Sequence, residues 1–284
     1  MNPQSDSVQC ISPSGLHRMA YRQWGDPANP RVLVCVHGLT RSARDLDTLA
    51  QHLCTDYRVI CPDVVGRGDS DWLRDPQYYA VPQYVADMVT LLARLQAETV
   101  HWFGTSMGGL IGMGLASLPE SPIRKLVLND VGPVLDGTAL KRIAEFVGTQ
   151  MTFDSFAHAE QTVRAVSAPF GPHSDAQWRQ LTESVVRQKN GQWMFHYDPA
   201  IGLNARAQAA STPDTLEFWW GYDPITCPVL AVRGELSDLL SRDTHRDMGQ
   251  RGPKAQLVEI PGVGHAPTFM HDDQIRLVRD FLLA

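Results

Sequence analysis

Phe103-Gly104-Thr105-Ser106-Met107-Gly108-Gly109 lies between a short apolar run, Val100 to Phe103, and an apolar, glycine-rich stretch, Leu110 to Leu118. The order reads as strand, sharp turn, helix. Within the turn, Gly104-Thr105-Ser106-Met107-Gly108 has the Gly-x-Ser-x-Gly form, in which flanking glycines let the backbone bend tightly enough to push the serine onto the tip. A serine so placed presents its Oγ to a pocket, beside backbone N–H groups and the positive end of the following helix. Those are the requirements of an acyl-transfer nucleophile. A turn that merely joined strand to helix would not need glycine on both sides of the serine.

Outward from this turn, the chain alternates short buried strands with helical periodicity. Upstream, Val32 to Val36 is continuously apolar and β-branched, as in a parallel strand covered on both faces. It ends at His37-Gly38-Leu39-Thr40. Leu46, Leu49, Ala50 and Leu53 then recur at helical spacing, Tyr57 to Pro62 forms another strand, and Val85, Met88, Val89, Leu92 and Leu95 mark an amphipathic helix. Between these, Asp63-Val64-Val65-Gly66-Arg67-Gly68-Asp69-Ser70 reads as a structural turn. The alternating segment Leu16 to Trp24 reads as an edge strand. Downstream, Leu126 to Leu128 ends in Asn129-Asp130, and the pattern then changes. From about Pro133 to Thr215 helical patterns rich in aromatic and Met residues replace the buried strands, until Pro228 to Val232 and Leu257 to Ile260 restore them before a last helix around Ile275, Val278 and Leu282. The expected organisation is an α/β core over 1–132 and 216–284, interrupted by a helical cap over 133–215.

A serine nucleophile needs a base, and His265 in Gly262-Val263-Gly264-His265-Ala266-Pro267 follows the last strand, at the sheet end where catalytic groups collect. The base needs an acid to fix its tautomer. Asp238 follows the strand ending near Arg233 and gives the chain order Ser106, Asp238, His265; Asp130, after the strand next to the elbow, is its rival. Asp238 is the expected acid, because its loop resembles the usual acid position of enzymes built on such a serine turn.

These segments, with His37-Gly38-Leu39 and Asp63 to Ser70, resemble the α/β-hydrolase fold family, in its capped, esterase-like form. The resemblance implies a mostly parallel central sheet flanked by helices, and an oxyanion hole made by the backbone N–H groups of Leu39 and Met107. It also implies that His37 shapes the oxyanion loop. The serine at the elbow argues against the dehalogenases and epoxide hydrolases of the fold, which carry aspartate there. Ester or thioester hydrolysis through an acyl-enzyme at Ser106 is the favoured activity, on a small and apolar substrate. The alternatives are carbon–carbon bond hydrolysis of ring-cleavage products, perhydrolase or cofactor-free oxygenase chemistry, and non-catalytic binding. Ring-cleavage hydrolases of this fold typically carry Asn before the serine and Trp after the histidine, where this chain has Thr105 and Ala266.

Composition narrows the partners. The 284 residues carry 25 Lys+Arg against 31 Asp+Glu, a net charge of -6 without a basic run, which argues against a nucleic-acid partner. No run of eighteen apolar residues and no signal-peptide pattern occurs, so a cytoplasmic protein with no membrane partner is expected. The five cysteines, Cys10, Cys35, Cys54, Cys61 and Cys227, are unclustered and read as reduced thiols; no cofactor or metal motif is present. Arg41 reads as solvated, and Trp219 and Trp220 as packing between cap and core.

Overall fold

The structure is a computed structural model that describes residues 2–211 and 213–284. The chain opens with an antiparallel hairpin, β1 (Gln4–Ser12) and β2 (Gly15–Trp24), in register from Gln4 opposite Gln23 to Ser12 opposite Gly15. The alternating segment is therefore the second strand, and β1 is the edge. β3 (Val32–Val36), α1 (Asp47–Leu53), β4 (Arg58–Pro62), α2 (Val81–Leu95), β5 (Val100–Thr105), α3 (Met107–Ala116) and β6 (Ile123–Asn129) follow as alternating strands and helices. After an insert, β12 (Val229–Gly234), α8 (Arg242–Met248), β13 (Gln256–Ile260) and α9 (Asp272–Leu283) complete the core.

One eight-stranded sheet results, in the order β1-β2-β4-β3-β5-β6-β12-β13. It is parallel from β4 through β13 and antiparallel only where β2 joins β1 and β4. All five residues of β3 are buried because both faces of the sheet are covered. Val34 and Val36 join Met88, Leu91 and Ile111 on the face carrying α2 and α3, while Leu33 and Cys35 join Leu49, Leu53, Val278 and Leu282 on the face carrying α1 and α9. Cys10, Cys35, Cys54 and Cys61 are buried, Cys227 is half-buried, and all five are free thiols.

The insert between β6 and β12 is entered and left through a short antiparallel ladder, β7 (Val134–Asp136) against β11 (Thr215–Glu217). Among the described residues it holds four α-helices, α4 (Gly137–Phe146), α5 (Phe156–Val166), α6 (Asp175–Glu183) and α7 (Ile201–Ser211). It also holds a three-stranded sheet that helical periodicity does not reveal: β8 (Thr152–Phe153), β9 (Val186–Lys189) and β10 (Gln192–Phe195), in the order β8-β10-β9. Trp193 and Phe195 thus lie on a strand. Phe153, Phe156, Phe195 and Trp193 pack around this sheet with Ala159 and Val163 as a small core of their own. Trp219 packs partly against the main core, whereas Trp220 is exposed, contrary to the expectation that both fill a seam.

Candidate active site

Ser106 stands between β5 and α3 with φ 52° and ψ -115°, a backbone conformation that a residue with a side chain adopts only when its surroundings hold it there. Two glycines do the holding. A Cβ at Gly104 would overlap the Gly108 carbonyl, and a Cβ at Gly108 would overlap the Val36 carbonyl at the end of β3. The elbow therefore closes only where the first turn of α3 can lie directly on two strand ends.

The Ser106 Oγ lies 3.0 Å from His265 Nε2, and His265 Nδ1 lies 2.7 Å from Asp130 Oδ2. A carboxylate only accepts, so Nδ1 carries the proton and Nε2 presents its lone pair to the serine hydroxyl. Asp130 is completely buried and has φ 56°, a left-handed conformation that Asp tolerates better than most residues. Its other contacts are the Gly234 N–H on Oδ1 (2.8 Å) and the Ser237 hydroxyl on Oδ2 (2.7 Å). Full burial of this carboxylate is thus matched by three donors.

The acid expected at Asp238 is not the one that holds His265. In the loop after β12 it is Ser237 that turns inward, to Asp130, while the half-exposed Asp238 forms an ion pair with Arg142 of α4. Partial burial pushes the Asp238 carboxyl up, but the Arg142 hydrogen bond and charge outweigh it and hold the group below its ordinary value. Asn129, next to Asp130, donates from Nδ2 to Thr105 Oγ1 (2.9 Å) and to the Pro267 carbonyl (2.8 Å). It ties the serine turn to the histidine loop.

The segment after β3 lies beside the serine: a Cβ at Gly38 would stand 3.8 Å from that of Ser106. Among the described residues, neither the Leu39 nor the Met107 N–H is taken up by a hydrogen bond. His37 is fully enclosed, donating from Nδ1 to the Gly38 carbonyl (2.7 Å) and accepting the Val64 N–H at Nε2 (3.0 Å). Burial pushes its pKa down to about 4, so it is a neutral brace for this loop. Asp63 accepts the N–H groups of Ala43 and Asp69 in the turn that follows β4, and burial raises its pKa to about 6.

Arg41, expected in solvent, instead pairs with Asp45 and reaches the Leu181 carbonyl (3.2 Å) at the C-terminal end of α6. Ser42 donates to the Ser184 carbonyl (2.6 Å) and Arg44 to that of Glu183 (2.9 Å). Three side chains of one loop so occupy the free carbonyls that a helix leaves at its end. On the opposite side, the Gly264 N–H donates to the Pro169 carbonyl (2.6 Å) and His173 bonds Thr268 (2.8 Å), so the insert also touches the histidine loop.

Comparison with known proteins places the chain. The chain is 53% identical over 289 residues to a 3-hydroxybutyrate-oligomer hydrolase of Cupriavidus necator, with 99% of this chain and 98% of that protein covered. It is 27% identical to an esterase of Mycobacterium tuberculosis, over 91% of this chain and 81% of the relative. Among solved structures, an alpha/beta hydrolase from Novosphingobium aromaticivorans superposes with a TM-score of 0.88 at 37% identity, covering 100% of this chain and 99% of the other. The family model described as alpha/beta hydrolase fold matches residues 31–272. With that match running from β3 to α9 over a sheet of this topology, the chain belongs to the alpha/beta hydrolase fold family and is a hydrolase.

Proposed function

We propose that the chain is a serine esterase whose substrates are short oligomers of 3-hydroxybutyrate, cleaved through an acyl-enzyme at Ser106. The hydrogen-bonded line from Ser106 through His265 to the buried Asp130 carries the reading. The substrate class is supported by the relative that matches end to end at 53% identity.

In this reading His265 Nε2 takes the Ser106 proton as Oγ attacks the ester carbonyl. The carbonyl oxygen becomes an oxyanion that accepts the N–H groups of Leu39 and Met107. Asp130 stabilises the imidazolium and keeps its Nδ1–H turned inward. Collapse breaks the bond to the ester oxygen, and His265 returns the proton to that oxygen, so the departing hydroxy acid leaves as an alcohol. Water, deprotonated by His265, then attacks the acyl-enzyme, and the acid leaves as Ser106 recovers its proton. None of these steps requires a metal or cofactor.

The insert over 133–215 serves as the cap, in contact with both the oxyanion loop and the histidine loop, and sets which acyl groups fit. Thr212, within that range, lies outside the described residues.

The test is product analysis. Purified protein is incubated with the dimer and trimer of 3-hydroxybutyrate and, in parallel, with short acyl esters and a ring-cleavage dienone. Release of 3-hydroxybutyrate by the wild type and its loss in Ser106→Ala is the expected result. Ester turnover that survives Ser106→Ala, or rapid cleavage of the dienone alone, would overturn the reading.

A further inference from the structure

Arg67 is an arginine with no exposed surface, and it lies in a turn that the sequence reads only as structural. Its guanidinium makes no ion pair among the described residues. Nε donates to the Leu39 carbonyl (2.8 Å), and Nη1 donates to the Val65 carbonyl (2.7 Å) and to the Tyr84 hydroxyl (3.0 Å). Nη2 lies 3.5 Å from Met107 Sδ. The rings of Tyr79 and Tyr84 flank the charge at 5.7 Å and 5.0 Å from their centroids. The nearby acid Asp198 is engaged by the Tyr79 hydroxyl at 2.5 Å, one group removed from the guanidinium.

One side chain thus touches both residues whose N–H groups are assigned to the oxyanion. We propose that Arg67 is the positioning residue of the oxyanion hole. By holding the Leu39 carbonyl it fixes the chain on the far side of Leu39 from its N–H. By lying against Met107 it ties that loop to the first turn of α3. A buried cation with no ion-paired carboxylate also places positive potential behind the two donors, where a low-dielectric setting preserves its effect on charge that develops only in the transition state. Burying an unpaired charge is unfavourable for folding. A purely structural residue at this place would be served better by an apolar side chain of similar volume.

The inference rests on the serine-hydrolase reading and is tested separately from it. Arg67→Met removes the charge and the hydrogen bonds while filling similar space. Turnover of a small activated ester is measured per active site, with active sites counted by covalent titration of Ser106, beside the rate of Ser106 phosphonylation by a fluorophosphonate. The expected result is a kcat per site lowered by ~10²-fold, the scale of losing an oxyanion donor, with KM little changed and phosphonylation slowed in parallel. A merely structural role would lower the fraction of titratable sites and the melting temperature while leaving kcat per site intact, and that outcome would overturn the proposal. Should Arg67→Met not fold, Tyr84→Phe removes one of the groups that hold the guanidinium. A drop in kcat per site of roughly threefold or more is then expected, and an unchanged kcat contradicts the claim. If the wild type hydrolysed no ester at all, the esterase reading would fail, and the phosphonylation rates would still decide the role of Arg67.

Discussion

Ser106 keeps its left-handed backbone only because Gly104 and Gly108 leave room for the turn. Gly108→Ala would drive a methyl group into the Val36 carbonyl, and backbone cannot step aside as a flexible side chain can. It is expected to destabilise the protein by about 1–3 kcal/mol and to slow fluorophosphonate labelling of Ser106, as read by denaturant melts and intact-mass kinetics. Full stability with wild-type labelling would show that the turn has slack. Ser106 and His265 were legible because each follows a strand within a glycine-rich signature that has few other uses. The acid was not. Both candidate aspartates follow a strand and precede His265 in the chain, so order alone does not separate them. Their difference lies in which side chain of Ser237-Asp238 turns inward, and a one-residue choice of that kind depends on packing. Arg67 was hidden for a related reason, since a turn sequence does not announce what its arginine reaches across the fold.

Strands buried on both faces were readable because the sheet leaves no polar alternation, as in β3 and β12. The strands β8, β9 and β10 escaped notice because they are two to four residues long and partly exposed, too short for a period of two to appear. β1 has no clear alternation either: its first four residues are polar, and beyond Val8 and Cys10 the exposed Ile11 and buried Ser12 invert the pattern. Arg41, Ser42 and Arg44 join the segment after β3 to the end of α6 through three hydrogen bonds, whereas the half-exposed Arg142–Asp238 ion pair joins α4 to the loop after β12. Arg41→Ala should therefore speed amide hydrogen exchange in α6 and β9 while leaving β3 and β5 protected. Arg142→Ala should leave α6 exchange unchanged. Equal exchange in wild type and Arg41→Ala would mean that these hydrogen bonds do not restrain the insert.

Two histidines, His37 enclosed and His101 partly buried, oppose folding in acid. Burial depresses His37 and His101 to about 4 from an ordinary 6.5, so between those values the unfolded chain binds protons that the folded chain refuses. Stability is full above about 6.5 and is lost as pH falls towards 4. His37, enclosed on every side, accounts for about 3 kcal/mol of that loss. Asp63 has the opposite sign: raised to about 6 by burial, it costs stability when ionised and relieves that cost on acidification, offsetting part of the histidine effect. Urea melts from pH 7 to 4 should show a falling midpoint that is shallower in His37→Gln, and a flat profile in the wild type would contradict the assignment. Family membership and the sheet follow from the chain as a whole, but the proposed chemistry rests on one junction, where Ser106, Asp130 and His265, each following the end of a strand (β5, β6 and β13), meet in one hydrogen-bonded line. The direct measurement is kcat/KM on the 3-hydroxybutyrate dimer for Asp130→Asn and Asp238→Asn, both verified as folded. The account predicts a loss of ~10³- to 10⁴-fold for Asp130→Asn and only a few-fold change for Asp238→Asn. The opposite ranking, with Asp238→Asn inactive and Asp130→Asn near wild type, would contradict it.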